Sequence, residues 1–173
     1  MSKHCSASYL LSLLFGLLLS SQLVYGQLND YQLAQHYYNM GEFEKAVSYY
    51  EKLYKNDQSE ALFNNYYNSL NNLNQQKELE KLLCKHTSSS NNPEHYMMLG
   101  QLYEQSNESS KADKIYKTII DQLVANPSSI INTFNAFRKY NKTEQSYQTL
   151  LKGRSLLKTA YPLNFQFADY YGA

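Results

Sequence analysis

Tryptophan is absent from this 173-residue chain, and proline and glycine are scarce, at three and six residues. So few glycines supply no Gly-rich phosphate loop, and neither a nucleophile elbow nor a strand-to-helix switch is present. Cysteine is limited to Cys5 and Cys84, too few for a disulfide framework. An excess of charge of one sign is also missing: 16 basic side chains face 15 acidic ones, which leaves no electrostatic footprint for nucleic acid. What the chain does have is 43% apolar residues, enough to fill a core, and 18 tyrosines. Many tyrosines recur beside Leu and Ala at helical spacing. They read as amphipathic packing pieces whose hydroxyls reach water.

The first residues have the layout of a signal peptide: Lys3, an apolar run from Tyr9 to Leu19, then a short polar stretch ending in Val24-Tyr25-Gly26. That run is about half of the roughly 20 residues a membrane span needs. Cleavage is expected before Gln27, with residues 1–26 removed; the alternative is an uncleaved anchor that uses Leu23 and Val24. Cys5 precedes the apolar run, so lipid attachment is not expected. Removal takes Lys3 and no acid, leaving 15 bases against 15 acids, and it leaves Cys84 with no cysteine to pair with in the chain. Packing alone then holds the fold.

The chain repeats itself. Leu33-Ala34, Tyr37, Gly41, Ala46 and Tyr50 return as Leu99-Gly100, Tyr103, Asn107, Ala112 and Tyr116, 66 residues on. Tyr37, Leu70, Tyr103, Phe137 and Tyr171 form one column, and Tyr50, Leu83, Tyr116 and Leu150 another. A third column holds Gly41, Asn74, Asn107 and Asn141, residues that tolerate the left-handed conformation ending a helix. Pro93, Pro127 and Pro162 lie where new units should begin, in keeping with proline's place in a first helical turn.

Leu-Ala/Gly-x-x-Tyr, a turn Gly or Asn, then Ala and Tyr on the next helix resemble the tetratricopeptide repeat. The resemblance divides residues 27–173 into units near 27–59, 60–92, 93–126 and 127–160, with a partial unit at 161–173. It implies an all-α, right-handed superhelical solenoid of antiparallel helix pairs behind the signal-peptide helix, with first helices lining the concave face. The first and third units match well. The second and fourth depart, with Tyr67 and Phe134 where Ala34 and Gly100 allow close approach, and Leu79 and Ser146 where Ala is usual. A polar loop is expected over Thr87 to Asn92. The end at Ala173, before a second helix of the fifth unit, suggests the N-terminal part of a longer protein.

Chemistry is sparse. His36, His86 and His95 make no His-Glu-x-x-His pair, and Cys84-Lys85-His86 falls short of a zinc ligand set. No catalytic residue, cofactor or metal is expected; Cys84 reads as partly buried filler, with a cross-link to a partner as the alternative. Acids mix with lysines at helical spacing, the pattern of solvated ion pairs. Asn107-Glu108-Ser109 and Asn141-Lys142-Thr143 satisfy the glycosylation pattern, but their Asn residues are already accounted for by the turns.

Projected onto the first helices, the pattern offers a partner Tyr31, Gln35 and Tyr38; Asn64, Asn68 and Asn71; Met97, Gln101 and Glu104; Ile131, Asn135 and Arg138. Amides can pair with the backbone of an extended peptide, while Tyr31, Tyr38, Met97 and Ile131 give apolar contact. The paired Lys and Asn of a carboxylate clamp are not matched. The sequence therefore points to a protein-interaction scaffold of the bacterial periplasm or outer envelope, or an extracellular one. The alternatives are the substrate-recruiting or regulatory N-terminal region of a larger envelope enzyme and, against the charge balance, an RNA-reading repeat.

Overall fold

A computed structural model describes residues 30–89, 91–158 and 161–172. The expected signal peptide, residues 1–26, lies outside the described residues. All regular structure among the described residues is helical: α1 (described over 30–39), α2 (Phe43–Tyr54), α3 (Glu60–Asn72), α4 (Gln76–Ser89), α5 (Pro93–Gln105), α6 (Ser109–Asp121), α7 (Pro127–Lys139), α8 (Thr143–Leu157), a 3₁₀ turn (Tyr161–Leu163) and α9 (Asn164–Gly172). They form two compact units that divide between Leu79 and Glu80, inside α4. The first holds α1, α2, α3 and the start of α4. In the second, α5 packs on α6 and α7 on α8, and the two pairs stack with α5 beside α7 and α6 beside α8.

The turn column and the first aromatic column are two ends of one device. Gly41, Asn74, Asn107 and Asn141 adopt φ of +75°, +54°, +60° and +57°. Each returns its N–H to the carbonyl three residues back, and the residue after it returns its own to the carbonyl five back: Glu42 to Tyr37, Gln75 to Leu70, Glu108 to Tyr103 and Lys142 to Phe137, at 2.8–3.1 Å. The otherwise orphaned last carbonyls of the first helices are satisfied in this way. Asn107→Ala and Asn141→Ala are each expected to cost about 1 kcal/mol, whereas Gly at either site is tolerated; urea midpoints of the four variants check this. The other end of the hairpin is fixed by Asn-Pro pairs. Pro93 and Pro127 open α5 and α7, Asn92 accepts from the Glu94 N–H, and Asn126 accepts from the Ser129 N–H, both at 3.1 Å.

Size complementarity accounts for the departure at Phe134. Fully buried Ala34 is matched sixteen residues on by the large ring of Tyr50, and Gly100 by Tyr116. A Cβ on Gly100 would lie 2.2 Å from the Tyr116 ring, so nothing larger fits without a shift. In the α7–α8 pair the sizes are exchanged: Phe134 fills the first-helix slot, and its core cluster holds the smaller Leu150 with Leu123, Ile130 and Leu163. Ser146 and Gly153 on α8, both buried, keep that helix close, and a Cβ on Gly153 would meet Ile130 at 2.6 Å. Total volume is kept while its position moves between helices.

Three details differ from the sequence expectation. The segment from Thr87 is not a loop at its start: α4 continues through Ser89, because Thr87, Ser88 and Ser89 turn their hydroxyls back onto the carbonyls of Leu83, Lys85 and His86 at 2.9, 2.7 and 3.0 Å. Three of the core tyrosines bond to protein groups. Tyr50 accepts from Gln35 at 2.5 Å, Tyr96 donates to the Thr87 carbonyl at 3.1 Å, and Tyr103 donates to Glu80 at 2.9 Å. Tyr171, fifth in its column, is 69% exposed, since no further helix among the described residues covers α9.

Candidate partner-binding face

In the first unit the expected residues sit on α1 and α3. Tyr31 sets its edge against Tyr50, with ring centroids 6.5 Å apart, and accepts from Asn65 at 3.2 Å. Tyr38 packs edge-on against Phe43 at 5.4 Å. Gln35 is held by Tyr50, whose own hydroxyl is pushed up to about 12 by burial first and by neighbouring Tyr31 next, the Gln35 hydrogen bond working in the opposite direction. These are positioned groups. Asn64, Asn68 and Asn71, spaced four and three apart, present exposed amides on one face of α3.

The raised Tyr50 hydroxyl has a measurable consequence. Tyrosine in the unfolded chain loses its proton near 10, whereas folded Tyr50 keeps it to about 12. Above the lower value the unfolded state binds fewer protons, so stability is complete below about pH 10 and falls as pH rises towards 12. Alkaline titration of the tyrosinate absorbance should show a late step coincident with loss of helical circular dichroism, and Tyr50→Phe should remove part of that step.

In the second unit the expected set divides. Gln101 and Asn135 are exposed; Glu104, Ile131 and Arg138 are half-buried. Met97 is completely buried and offers no contact, which corrects its assignment. The outward stripe of α5 runs through Glu94, Met98, Gln101 and Gln105, and the corresponding stripe of α7 through Ser128, Asn132, Asn135 and Lys139, 34 residues on. The expected positions lie one residue, or about 100° of helical rotation, off that line at Met97 and Ile131. Asn132 and Lys139 lie on that line outside the expected set. They line a shallow depression of about 460 Å³ with Asn92, Pro93, Glu94, Asn135 and Ala136.

Charge on this face is tied up. Lys139 reaches both Glu94 oxygens at 3.0 and 3.1 Å, Lys142 holds both Glu104 oxygens at 2.6 Å, and Arg138 Nε lies 3.8 Å from Asp169. Glu104 in turn lies beside the Tyr116 hydroxyl, which is held well above the usual tyrosine range by burial first and by this carboxylate next. On the second helices, Lys45–Glu42, Lys55–Glu51, Lys111–Glu108 and Lys117–Asp121 are the expected pairs at helical spacing.

Cys84 is exposed rather than filler: its Sγ approaches the Tyr103 hydroxyl at 3.9 Å from the rim of α4. His86 and His95, nine apart in sequence, are both buried and meet edge to face, with ring centroids 4.3 Å apart. Sequence spacing alone gave no hint of that pair. Among the described residues no helix is long and apolar enough to cross a membrane.

The tetratricopeptide repeat profile matches residues 31–60 and 94–121. The chain carries tetratricopeptide repeats. The two matched repeats cover α1–α2 and α5–α6, the hairpins in which Ala34 and Gly100 receive a large tyrosine; the stretches outside them include Tyr67 and Phe134. A search of curated proteins returned no match. Among solved structures, a crystal structure of MamA protein aligns at 13% identity over 76% of this chain and 73% of that one, with a TM-score of 0.47. A second MamA crystal structure aligns at 14% identity, covering 76% and 78%, with a TM-score of 0.45. A third, MamA MSR-1 C2, aligns at 14% identity over 85% and 90%, with a TM-score of 0.40.

Proposed function

We propose that this chain is an exported protein-interaction scaffold, each of whose units holds an extended segment of a partner protein on the outward faces of its own first helices. The observation that carries the reading is the row of exposed amides, Asn64, Asn68 and Asn71 in one unit and Gln101, Asn132 and Asn135 in the other. An amide both donates and accepts, so such a row can satisfy the N–H and C=O groups of an extended chain. Tyr31 and Tyr38, already fixed by Tyr50 and Phe43, add apolar contact at little cost in ordering. The work is done by shape and hydrogen bonding, with no cofactor. Export to a bacterial envelope rests on the Lys3, Tyr9–Leu19 and Gly26 pattern.

A pull-down from envelope extract tests the binding reading, with the mature chain as bait beside a variant carrying Ala at Asn64, Asn68, Gln101 and Asn135. These residues are exposed, so folding is expected to be intact. A partner kept by the native bait and lost by the variant supports the reading; equal capture by both moves binding to the second helices. Fractionation with N-terminal sequencing tests export. A mature protein that begins at Gln27 is expected, and cytoplasmic protein retaining Met1 would refute it.

A further inference from the structure

The first-helix faces lack charge in two different ways. Along α1 no Asp, Glu, Lys or Arg follows Asp30, which is itself met by Lys52 at 2.6 Å, and along α3 none follows Glu60 at its first position. In the second unit charged side chains do occur on α5 and α7, but Glu94, Glu104, Arg138 and Lys139 are each opposed by a partner: Lys139, Lys142, Asp169 and Glu94. One unit omits charge and the other neutralises it. Past these positions, the exposed groups left to a ligand are mostly amides, with Tyr31 and His36 on α1 and Ser128 on α7.

We infer that the segment each of these faces holds is an uncharged extended peptide, rich in small polar or amide residues. This rests on the reading of the preceding subsection and narrows it. A ligand carboxylate or ammonium laid on either face would lose water and find no counter-charge unless it broke one of the existing pairs. A neutral backbone and neutral polar side chains lose much less and gain amide pairing. Attraction between neutral groups is also not screened by salt, so binding should change less than about twofold between low and high ionic strength.

The test uses the whole mature chain on arrays of short extended peptides sorted by net charge, at about pH 8, where an ordinary imidazole is neutral. Retention of neutral peptides, insensitive to salt, is expected. Asn68→Asp and Asn68→Lys then place opposite charges at one exposed position. For a neutral ligand both weaken binding by a similar factor, about five-fold. If Asp strengthens binding and Lys weakens it, the ligand is basic; the reverse makes it acidic. Either result overturns the inference while leaving the scaffold reading in place. Retention of no peptide of any charge, or of neutral glycans instead, overturns both.

Discussion

Phe134→Ala is expected to lower stability by about 3–5 kcal/mol, the largest effect of any single substitution considered for this chain. Phe134 is 2% exposed and belongs to the cluster of Leu123, Ile130, Leu150 and Leu163, against which Ile131, Leu156 and Phe167 also pack. Its slot on the first helix is the one that Ala34 and Gly100 fill with little or no side chain, so the difference invites the view that Phe134 is a poor fit. The packing says otherwise: the smaller Leu150 stands in the column that holds Tyr50 and Tyr116, and the ring fills the space Leu150 leaves. Truncation opens a cavity that Leu150 is too short to close. The urea midpoint should fall, and amide exchange should quicken on α7 and α8. Phe165→Ala, at a 77% exposed position, should change stability by less than about 0.5 kcal/mol. A small loss at Phe134 would mean that the α7–α8 interior is loosely packed.

Gly100→Ala is expected to cost about 2 kcal/mol, although alanine is the better helix former. The added carbon would lie 2.2, 2.4 and 2.7 Å from three atoms of the Tyr116 side chain, and that ring has nowhere to go, being 2% exposed and set edge-on against Phe137 at 5.8 Å. The rescue is specific. Gly100→Ala with Tyr116→Leu reproduces the arrangement of the α7–α8 pair, larger on the first helix and smaller on the second, and should lose less stability than the sum of the two single changes. Strict additivity in thermal or urea unfolding would show that the two positions are not coupled through their volumes.

How much of this was legible in the sequence depended on how local each signal was. The helix positions and the left-handed turns at Gly41, Asn74, Asn107 and Asn141 could be read because a turn is decided by a few consecutive residues. Packing between helices is not local. Met97 and Met98 are the same residue type side by side, and only the fold shows that the first is wholly buried while the second is half-exposed. Likewise, the hydroxyl partners of three core tyrosines are distant in sequence: Gln35 and Glu80 on other helices, and Gln122 just past the end of α6. The size exchange was present in the letters, sixteen residues apart, but its meaning depends on knowing which residues face each other. The shared exposure of Asn64, Asn68 and Asn71 on α3 was legible because a spacing of four and three residues is a property of one helix.

The four hairpin turns carry a consequence for how such a chain can vary. From the accepting carbonyl to the left-handed residue the count is the same in every turn, Tyr37 to Gly41, Leu70 to Asn74, Tyr103 to Asn107 and Phe137 to Asn141, even though the repeat lengthens from 33 to 34 residues. The added residue therefore lies outside these turns. The α6–α7 connector from Gln122 to Asn126 is mostly exposed, with Val124 at 59%, whereas the tight turns have no slack. Length is a free variable between hairpins and a fixed one within them, so an insertion beside Val124 becomes a harmless spacer, and one beside Asn107 uncouples two helices that are read as a single word.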